Sequence, residues 1–393
     1  MGTSPKVDGC APIHVFASSK SWIEGNATLQ LQHVAGLAGV REVAAMPDLH
    51  PGKYGPVGCA VLADRIYPQL VGSDIGCGMG LFQLDIVARK LRLDQMAERL
   101  HALDQPWDGD PASVLAETGL HGSTFDASLG SIGGGNHFCE LQAIEDILAP
   151  DIAAQAGLDR DYAYVLVHSG SRGLGYAILE RVLSQGQVTL DPTGDQGAAY
   201  LAAHDHAVRW AKLNRRIIAE RAAAAARADL RAVNDLPHNM VERRDGAMVL
   251  HRKGAAASDR GLVPVPGSRG TLSYLVEPLA GMRNEALASL AHGAGRKYDR
   301  ASMHGRVRVK KSDVARLERN PYGGIVVCGD RGLLAEEAPE AYKSIERVID
   351  DLVEFGLARV VATFRPLVTF KKAPSDRPVG DAKRQRSWKE DRR

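Results

Sequence analysis

The stretch YAYVLVHSGSRGLG, residues 162–175, joins two patterns that recur along this chain. Its first half is a run of apolar and aromatic residues, which is typical of a buried strand, and its second half is a Gly-rich turn. The polar side chains after the strand, His168 among them, therefore lie on a loop that a rigid element holds. That is a common setting for functional residues.

Strand and helix patterns mix irregularly on both sides of this stretch. Strand-like runs fall at 13–18, 40–50, 57–63 and 358–370, and helical spacing falls at 90–103, 195–232 and 338–356. Because the elements do not follow strict strand–helix–strand alternation, the pattern favours an α+β fold with a mixed β-sheet core flanked by helices. The last helix is predicted to bury one apolar side, Val353 included, and to end at Gly356.

Composition excludes several classes of protein. The 393 residues are 45% hydrophobic, which suffices for a core. The net charge of +2 produces no strong positive field of the kind that would indicate nucleic-acid binding. The five cysteines are widely spaced and form no CxxC pair, which argues against a disulfide framework. The chain shows neither a signal-peptide pattern nor an apolar run long enough to span a membrane, so we expect a cytoplasmic protein.

The charge is uneven at the C-terminal end. Residues 371–393 contain nine Lys or Arg and four Asp or Glu, with a single aromatic residue, Trp388. No clear linker precedes about residue 371, so we expect one domain over residues 1–372 and a mobile basic tail over residues 373–393. The tail either holds RNA electrostatically or is a solvated segment without a partner.

Five potential metal ligands lie in Gly-rich or turn segments. GSDIGCGMG (72–80) places a carboxylate and a thiol three residues apart among four glycines, and three imidazoles lie in comparable segments. The five residues are Asp74, Cys77, His137, His168 and His238. They exceed one tetrahedral site, whereas two ions that share Cys77 would use them all. Ligand softness alone favours zinc, and each His by itself is better interpreted as a hydrogen-bonded core or turn residue.

His292 lies in a different setting, HGAGR, where small residues leave room for a bulky group against the imidazole ring. A neutral imidazole nitrogen can attack phosphorus and form a phosphoramidate, and the alternative is a helix or turn residue near solvent. Lys371 and Arg296 could clamp phosphate groups, although an unpaired surface position suits Arg296 equally well. GGGN and PGSRG could offer backbone N–H groups to phosphate, but neither matches a P-loop or a GxGxxG turn.

Together these motifs resemble the RtcB RNA ligases, a family that joins RNA ends with GTP and manganese. The resemblance runs from about residue 40 to 372 in the family's motif order and includes DIGCGM, GGGNH, HSGSR and HGAGR. The short chain is most similar to the compact bacterial branch known as release-factor-H-coupled RtcB-like proteins. That similarity implies a single RtcB-like domain and a functional link to a release-factor-like protein.

The resemblance implies a role for each candidate residue. Asp74, Cys77, His137, His168 and His238 would bind two manganese ions, with Cys77 bridging, and His292 would be the nucleophile that carries GMP. The residues that would contact the nucleotide are Asn136, Phe138, Glu140, Ser268, Gly293, Ala294, Gly295, Arg296, Tyr342 and Lys371, with Tyr342 stacked on guanine and Lys371 at its edge. Manganese replaces zinc as the expected metal because paired sites select ions partly by geometry and supply.

Three segments depart from the family's pattern. His50 lies in HPGKYGPVG where a different loop is usual, Arg269 stands where many members have Met, and Lys372 follows Lys371 where a Gly is usual. These departures leave three points open. They are whether His50 has a catalytic role, how phosphate binds near Arg269, and whether Lys371 contacts the nucleotide.

The implied activity is GTP- and manganese-dependent joining of an RNA 3′-phosphate or 2′,3′-cyclic phosphate to a 5′-hydroxyl end through a histidine–GMP intermediate, in RNA repair or tRNA splicing. One alternative is a metal-dependent phosphodiesterase or phosphatase that acts on RNA ends without nucleotide activation, and this enzyme would not need His292 or Glu140. Another is an RNA-binding protein that keeps only a structural metal.

Overall fold

The computed structural model describes residues 10–307 and 315–372, so the tail predicted at 373–393 lies outside the described residues. Helices and strands mix along the chain, and the described strands form an eight-stranded, a five-stranded and a two-stranded sheet. The predicted α+β class is confirmed. Within the described ranges, no helix combines the length and the apolar character that crossing a membrane requires.

The strands are β1 (Ile13–Val15), β2 (Val40–His50), β3 (Val57–Ala63), β4 (Gly78–Val87), β5 (Phe138–Ile147), β6 (Tyr162–Ser169), β7 (Leu230–Pro237), β8 (Asn239–Arg243), β9 (Val249–Lys253), β10 (Ala255–Ala257), β11 (Val263–Val265), β12 (Ser273–Pro278), β13 (Ser289–Ala291), β14 (Ile325–Val327) and β15 (Ala358–Phe370). The helices are α1 (Gly25–Ala35), α2 (Pro68–Val71), α3 (Leu93–Leu100), α4 (Pro111–Glu117), α5 (Pro150–Gln155), α6 (Gly173–Ser184), α7 (Asp195–Ala226), α8 (Arg300–Arg306), α9 (Arg331–Glu336) and α10 (Ile345–Glu354).

The largest sheet has the order β11-β12-β15-β5-β6-β4-β7, and β14 pairs with β15 at its side. Its neighbouring strands are antiparallel except for β14 and β15. The long helix α7 packs across it, with Ile218 and Ala222 in the same buried cluster as Leu141 of β5 and Val165 of β6. This cluster holds the central strands, and hence their ends, in fixed positions.

The second sheet has the order β1-β2-β3-β9-β8. Helix α1 covers one face, where Leu31 and Val34 pack with Val43 and Val61. Helix α10 packs against both sheets, because its buried side chains share a cluster with residues of β2 in the second sheet and of β15 in the largest sheet. The two sheets are thus joined through a common core.

Two helix predictions extend too far. Helix α7 ends at Ala226 rather than at residue 232, because Arg227 adopts a left-handed conformation with φ of 57° and the chain then enters β7. The helix predicted at 338–356 begins only at Ile345, after the Ser344 side chain accepts a hydrogen bond from the backbone N–H of Arg347. Val353 is 49% exposed, so its predicted place on the buried side is wrong.

Candidate active site

Four strands of the largest sheet bring their polar ends together. Strand β6 lies between β4 and β5, and His168 near its end pairs with Met79 at the start of β4 and with Phe138 at the start of β5. Strand β7 lies on the other side of β4, where Pro237 pairs with Gly78. Because each of these pairs is antiparallel, the start of one strand lies beside the end of its neighbour. Side chains just outside these strand ends therefore meet at one edge of the sheet.

The five predicted metal ligands lie at this edge. The Cys77 Sγ atom is 3.1 Å from His168 Nε2 and 3.3 Å from His137 Nε2. His168 Nε2 is 3.3 Å from His238 Nε2, and His137 Nε2 is 2.8 Å from Asp74 Oδ2. The donor atoms form two groups, each with members within 4.8 Å of one another: Cys77, His168 and His238 in the first, and Asp74, Cys77 and His137 in the second. Only Cys77 belongs to both groups.

The chemistry of this cluster fits metal ions. Burial, with a smaller contribution from neighbouring histidines, lowers the pKa of both His168 and His238 well below the ordinary value, so both rings are neutral near pH 7. His168 Nδ1 donates to the Asn136 carbonyl at 3.2 Å, which directs the lone pair of Nε2 toward Cys77. Burial, reinforced by Asp74, raises the pKa of the Cys77 thiol well above its usual value, and nearby cations would reverse that effect.

Two glycines permit the close approach of these loops. Gly76 has a φ of +73°, and a Cβ atom there would lie 2.8 Å from the Cα of Val208 in α7. Gly295 has a φ of +71°, and a Cβ atom there would lie 2.1 Å from the carbonyl oxygen of Asp48. Larger residues would clash with backbone at both positions and would also be strained. One glycine in each of GSDIGCGMG and HGAGR is thus required by packing, against α7 and β2 respectively.

His292 lies beside the ligand cluster. It follows β13, and its ring centroid is 4.7 Å from that of His238. The fully buried Asp48 on β2 uses one carboxylate oxygen for both of its contacts with His292. That oxygen accepts a hydrogen bond from the backbone N–H at 3.1 Å and lies 2.6 Å from Nδ1. A proton held on Nδ1 by this carboxylate leaves the lone pair of Nε2 free to act as a nucleophile.

The cavity that contains His292 has a volume of about 520 Å³, and all the predicted site residues line it, from Asp74 to Lys371. Lys371 is buried, and its Nζ atom donates to the His137 carbonyl at 3.2 Å and lies 5.8 Å from the centroid of the Phe138 ring. Lys372 points elsewhere and donates to the Asp104 carbonyl. The basic residue that follows Lys371 therefore does not displace it from the cavity.

Arg296 and Tyr342 share one carboxylate, that of the buried Glu337. The Tyr342 hydroxyl donates to Glu337, Arg296 Nη1 lies 2.9 Å from it, and the Arg296 Cζ atom lies 5.3 Å from the centroid of the Tyr342 ring. The alternative of an unpaired surface position for Arg296 is therefore wrong. Arg269 is also buried, and it donates to the carbonyls of Leu334 and Glu337, so it braces the end of α9.

Sequence reasoning missed Asp48 and Glu337 as site residues. Both occur in polar segments that were selected because of His50 and Tyr342, PDLHPGKYGPVG and EEAPEAYK. His50, in the first segment, lines the cavity with its ring nearly parallel to that of His292, at 6.3 Å between centroids. Burial lowers the pKa of His50 to about 4, so its ring is neutral near pH 7. The signal in the sequence was an acid within a few residues of a candidate functional residue, Asp48 beside His50 and Glu337 near Tyr342.

Glu140 is a buried acid on the cavity wall. Its carboxylate accepts hydrogen bonds from Thr369 Oγ1 at 2.5 Å and from Gln142 Nε2 at 2.7 Å. Burial is the largest influence and raises the pKa of Glu140 to about 7, although these hydrogen bonds and the charge of Lys371 oppose the rise. The folded protein therefore holds a proton on this carboxyl that the unfolded chain releases at lower pH.

We expect the substitution Glu140→Gln to stabilise the protein relative to the unsubstituted chain as the pH rises. The cost of ionising Glu140 is absent below its unfolded pKa of 4.5, grows between 4.5 and about 7, and is fully present above that value. Urea unfolding at about pH 5 and about pH 8 measures the effect, which is at most about 3 kcal/mol in the free energy of unfolding. A difference between the two proteins that stays constant with pH would contradict the raised pKa.

Comparison with known proteins gives a consistent result. The chain matches the sequence profile of the family described as "tRNA-splicing ligase RtcB" over residues 30–109 and 108–372. It is 44% identical over 366 residues to the RNA-splicing ligase RtcB2 of Escherichia coli, across 92% of this chain and 96% of that protein. It is 30% identical to the RNA-splicing ligase RtcB of Mycobacterium bovis, across 86% and 99% of the two chains, and 28% identical to the tRNA-splicing ligase RtcB of Thermococcus kodakarensis, across 86% and 89%. The predicted family is thereby confirmed, and the chain belongs to the RtcB RNA ligases.

Proposed function

We propose that this protein joins RNA 3′-phosphate or 2′,3′-cyclic phosphate ends to 5′-hydroxyl ends, using GTP and a histidine–GMP intermediate. The observation that carries the proposal is the pair His292 and Asp48, which lies directly beside the Cys77-centred ligand cluster in one cavity. A nucleophile held in one tautomer next to positive charge is the arrangement that covalent transfer of a nucleotidyl group requires.

The two ligand groups would hold two manganese ions, with Cys77 shared between them. When bound, the ions supply positive charge beside phosphate oxygens on which negative charge develops. The choice of manganese rests on the family resemblance, because the donor set of one thiolate, one carboxylate and three imidazoles also suits zinc. The remaining tasks fall to side chains of this protein.

In the first step, His292 Nε2 attacks the α-phosphorus of GTP, so that a nitrogen–phosphorus bond forms as the bond to pyrophosphate breaks. The hydrogen bond to Asp48 keeps the proton on Nδ1, and the carboxylate balances the positive charge that the ring acquires. The RNA 3′-phosphate then attacks the same phosphorus and takes GMP from His292. Finally, the 5′-hydroxyl oxygen attacks the activated 3′-phosphate, so that the new phosphodiester bond forms as the bond to GMP breaks and the hydroxyl proton passes to solvent. A 2′,3′-cyclic phosphate is first opened by water to give the 3′-phosphate.

The nucleotide would lie along the cavity wall that adjoins the ligand cluster. Tyr342, whose hydroxyl is fixed by Glu337 and whose ring lies against Arg296, would stack on guanine. Glu140 and Lys371 would meet the polar edge of the base. The other contacts that we assign to GTP are those of Asn136, Phe138, Ser268, Gly293, Ala294, Gly295 and Arg296.

A labelling experiment tests the proposal. The purified protein is incubated with manganese and GTP labelled at the α-phosphate, and the products are separated on a denaturing gel. A labelled protein band supports the ligase. Release of phosphate from RNA ends without a labelled band would instead support the phosphodiesterase or phosphatase. The contact between Asp48 and His292 favours the ligase, since hydrolysis by metal-bound water needs no oriented histidine nucleophile.

We expect Asp48→Asn to lower the rate of self-guanylylation by about 100-fold or more, while the fold and the affinity for metal persist. The amide lacks the charge that holds the Nδ1 proton and balances the developing imidazolium. Single-turnover labelling with GTP measures the rate, and nitrogen NMR of the imidazole shows which ring nitrogen carries the proton. An unchanged rate together with an unchanged tautomer would contradict the positioning role of Asp48.

The biological setting follows from the relatives and the resemblance. The names of the relatives refer to RNA and tRNA splicing, whereas the resemblance to the compact bacterial branch favours repair of cleaved RNA, with a link to a release-factor-like protein. We place the activity in the cytoplasm. We assign catalysis to a domain over residues 1–372 and regard residues 373–393 as an accessory basic tail.

A further inference from the structure

Four side chains beside the cavity form a row in which rings and cations alternate. Lys297 Nζ lies 6.0 Å from the ring centroid of Trp22 and 5.3 Å from that of Tyr298. Arg306 Cζ lies 3.9 Å from the centroid of the Tyr298 ring. We name these four residues the rim strip. Trp22 is 53% exposed, so much of a large indole faces water at the outer end of the strip.

The rim strip is continuous with the wall of the cavity. Arg296 immediately precedes Lys297 and lines the cavity, and Asn26, at the start of α1 and close to Trp22 in sequence, lines it too. The backbone N–H groups of Lys297 and Tyr298 both donate to the carbonyl of Ala341, at 2.8 Å and 3.2 Å. This segment is therefore pinned against the chain that carries the predicted guanine-stacking residue, and the strip leads directly to the site.

The two cations of the strip carry charge that no acid neutralises within residues 10–307 and 315–372. Neither Lys297 nor Arg306 forms an ion pair there, whereas Arg296 and Arg300, on the cavity wall, both pair with Glu337. The carboxylate of the neighbouring Asp299 accepts a hydrogen bond from the backbone N–H of Ser302 at the start of α8. The strip therefore offers two positive charges and one open aromatic face to an external ligand.

We propose that the rim strip binds a single-stranded segment of RNA next to one of the ends to be joined. A base would stack on Trp22, and backbone phosphates would lie near Lys297 and Arg306, which Tyr298 holds in place. Stacking on an aromatic ring accepts any base, and Lys and Arg neutralise phosphates regardless of sequence. Paired bases hide their faces in a duplex, so the strip selects an unpaired strand. The inference rests on the proposed function, because it concerns how that reaction's RNA substrate approaches.

The test measures binding of a short, fluorescently labelled, single-stranded RNA with a 3′-phosphate by anisotropy at several salt concentrations. We expect Trp22→Ala to weaken binding about tenfold or more, and Trp22→Phe to retain most of the affinity. Lys297→Ala should reduce the slope of log affinity against log salt by about 0.7, and Lys297→Arg should preserve it. The matched controls are Tyr322→Ala and Arg160→Ala, which remove an exposed aromatic and an exposed basic side chain elsewhere and should bind RNA normally.

Two further measurements separate this inference from the proposed function. Self-guanylylation should be unchanged in Trp22→Ala and Lys297→Ala, because the strip lies outside the nucleotide pocket. Affinity for a duplex of the same sequence should not depend on Trp22. If the unsubstituted protein binds RNA and labels itself but both variants bind RNA normally, the inference that the rim strip binds RNA is wrong, while the proposed ligase function is unaffected. If the unsubstituted protein forms no GMP adduct, the proposed function itself is overturned.

Discussion

His292→Ala should form no covalent GMP adduct while keeping its metal ions and its fold. The His292 ring supplies the attacking nitrogen. Because His292 belongs to neither ligand group, its removal leaves all five donor residues in place. GTP should still bind, because the wall formed by Asn136, Glu140 and Lys371 is untouched. Labelling with GTP on a denaturing gel measures the adduct, and elemental analysis by mass spectrometry measures the bound metal. The adduct of the unsubstituted protein should be labile in acid and stable in alkali, as a phosphoramidate is.

A substrate that has already passed the first step makes this prediction sharper. RNA that carries a 3′-terminal guanylyl cap no longer needs the nucleophile, so His292→Ala should still join it to a 5′-hydroxyl end. The joining step depends on positive charge near the activated phosphate rather than on His292. Loss of metal in this variant, or failure to seal capped RNA that it binds, would show that His292 has a second role and would break the division of labour proposed here.

Cys77→Ser should lower the bound metal and reduce ligation by more than about 100-fold, while the protein stays folded. Cys77 is the one residue common to both ligand groups, so its loss weakens both sites at once. A Ser hydroxyl is a much poorer ligand at neutral pH, because it does not ionise as a thiol beside cations does. Metal content after gel filtration and ligation of a matched pair of RNA ends are the two measurements.

Cys59→Ser is the matched control for this prediction. Cys59 is also buried, but its Sγ atom donates a hydrogen bond to the carbonyl of Pro56 and lies outside both ligand groups. The control introduces the same buried hydroxyl and should keep its metal and its activity. Full manganese occupancy and normal ligation in Cys77→Ser would remove the metal assignment altogether.

Local patterns in the sequence predicted a large part of this protein. The strands at 40–50, 57–63 and 358–370 have the predicted bounds, because alternation and Gly or Pro breaks act over a few residues. The choice of donor types also identified the five residues that now lie in the two ligand groups. The predictions were wrong where one backbone angle decided the outcome, as at Arg227, whose left-handed conformation ends α7 before the apolar pattern fades.

Contacts between distant parts of the chain could be read only from the tertiary structure. Asp48 and His292 are 244 residues apart, and no pattern within either segment shows that one carboxylate oxygen would meet both the backbone and the ring of His292. The same holds for Trp22 and Lys297, which come together only because α1 and the segment after β13 border one cavity. Sequence determines which chemical groups are available, through rules that act between near neighbours. Which of those groups touch depends on how antiparallel strand ends and packed helices converge, and that convergence is a property of the whole core.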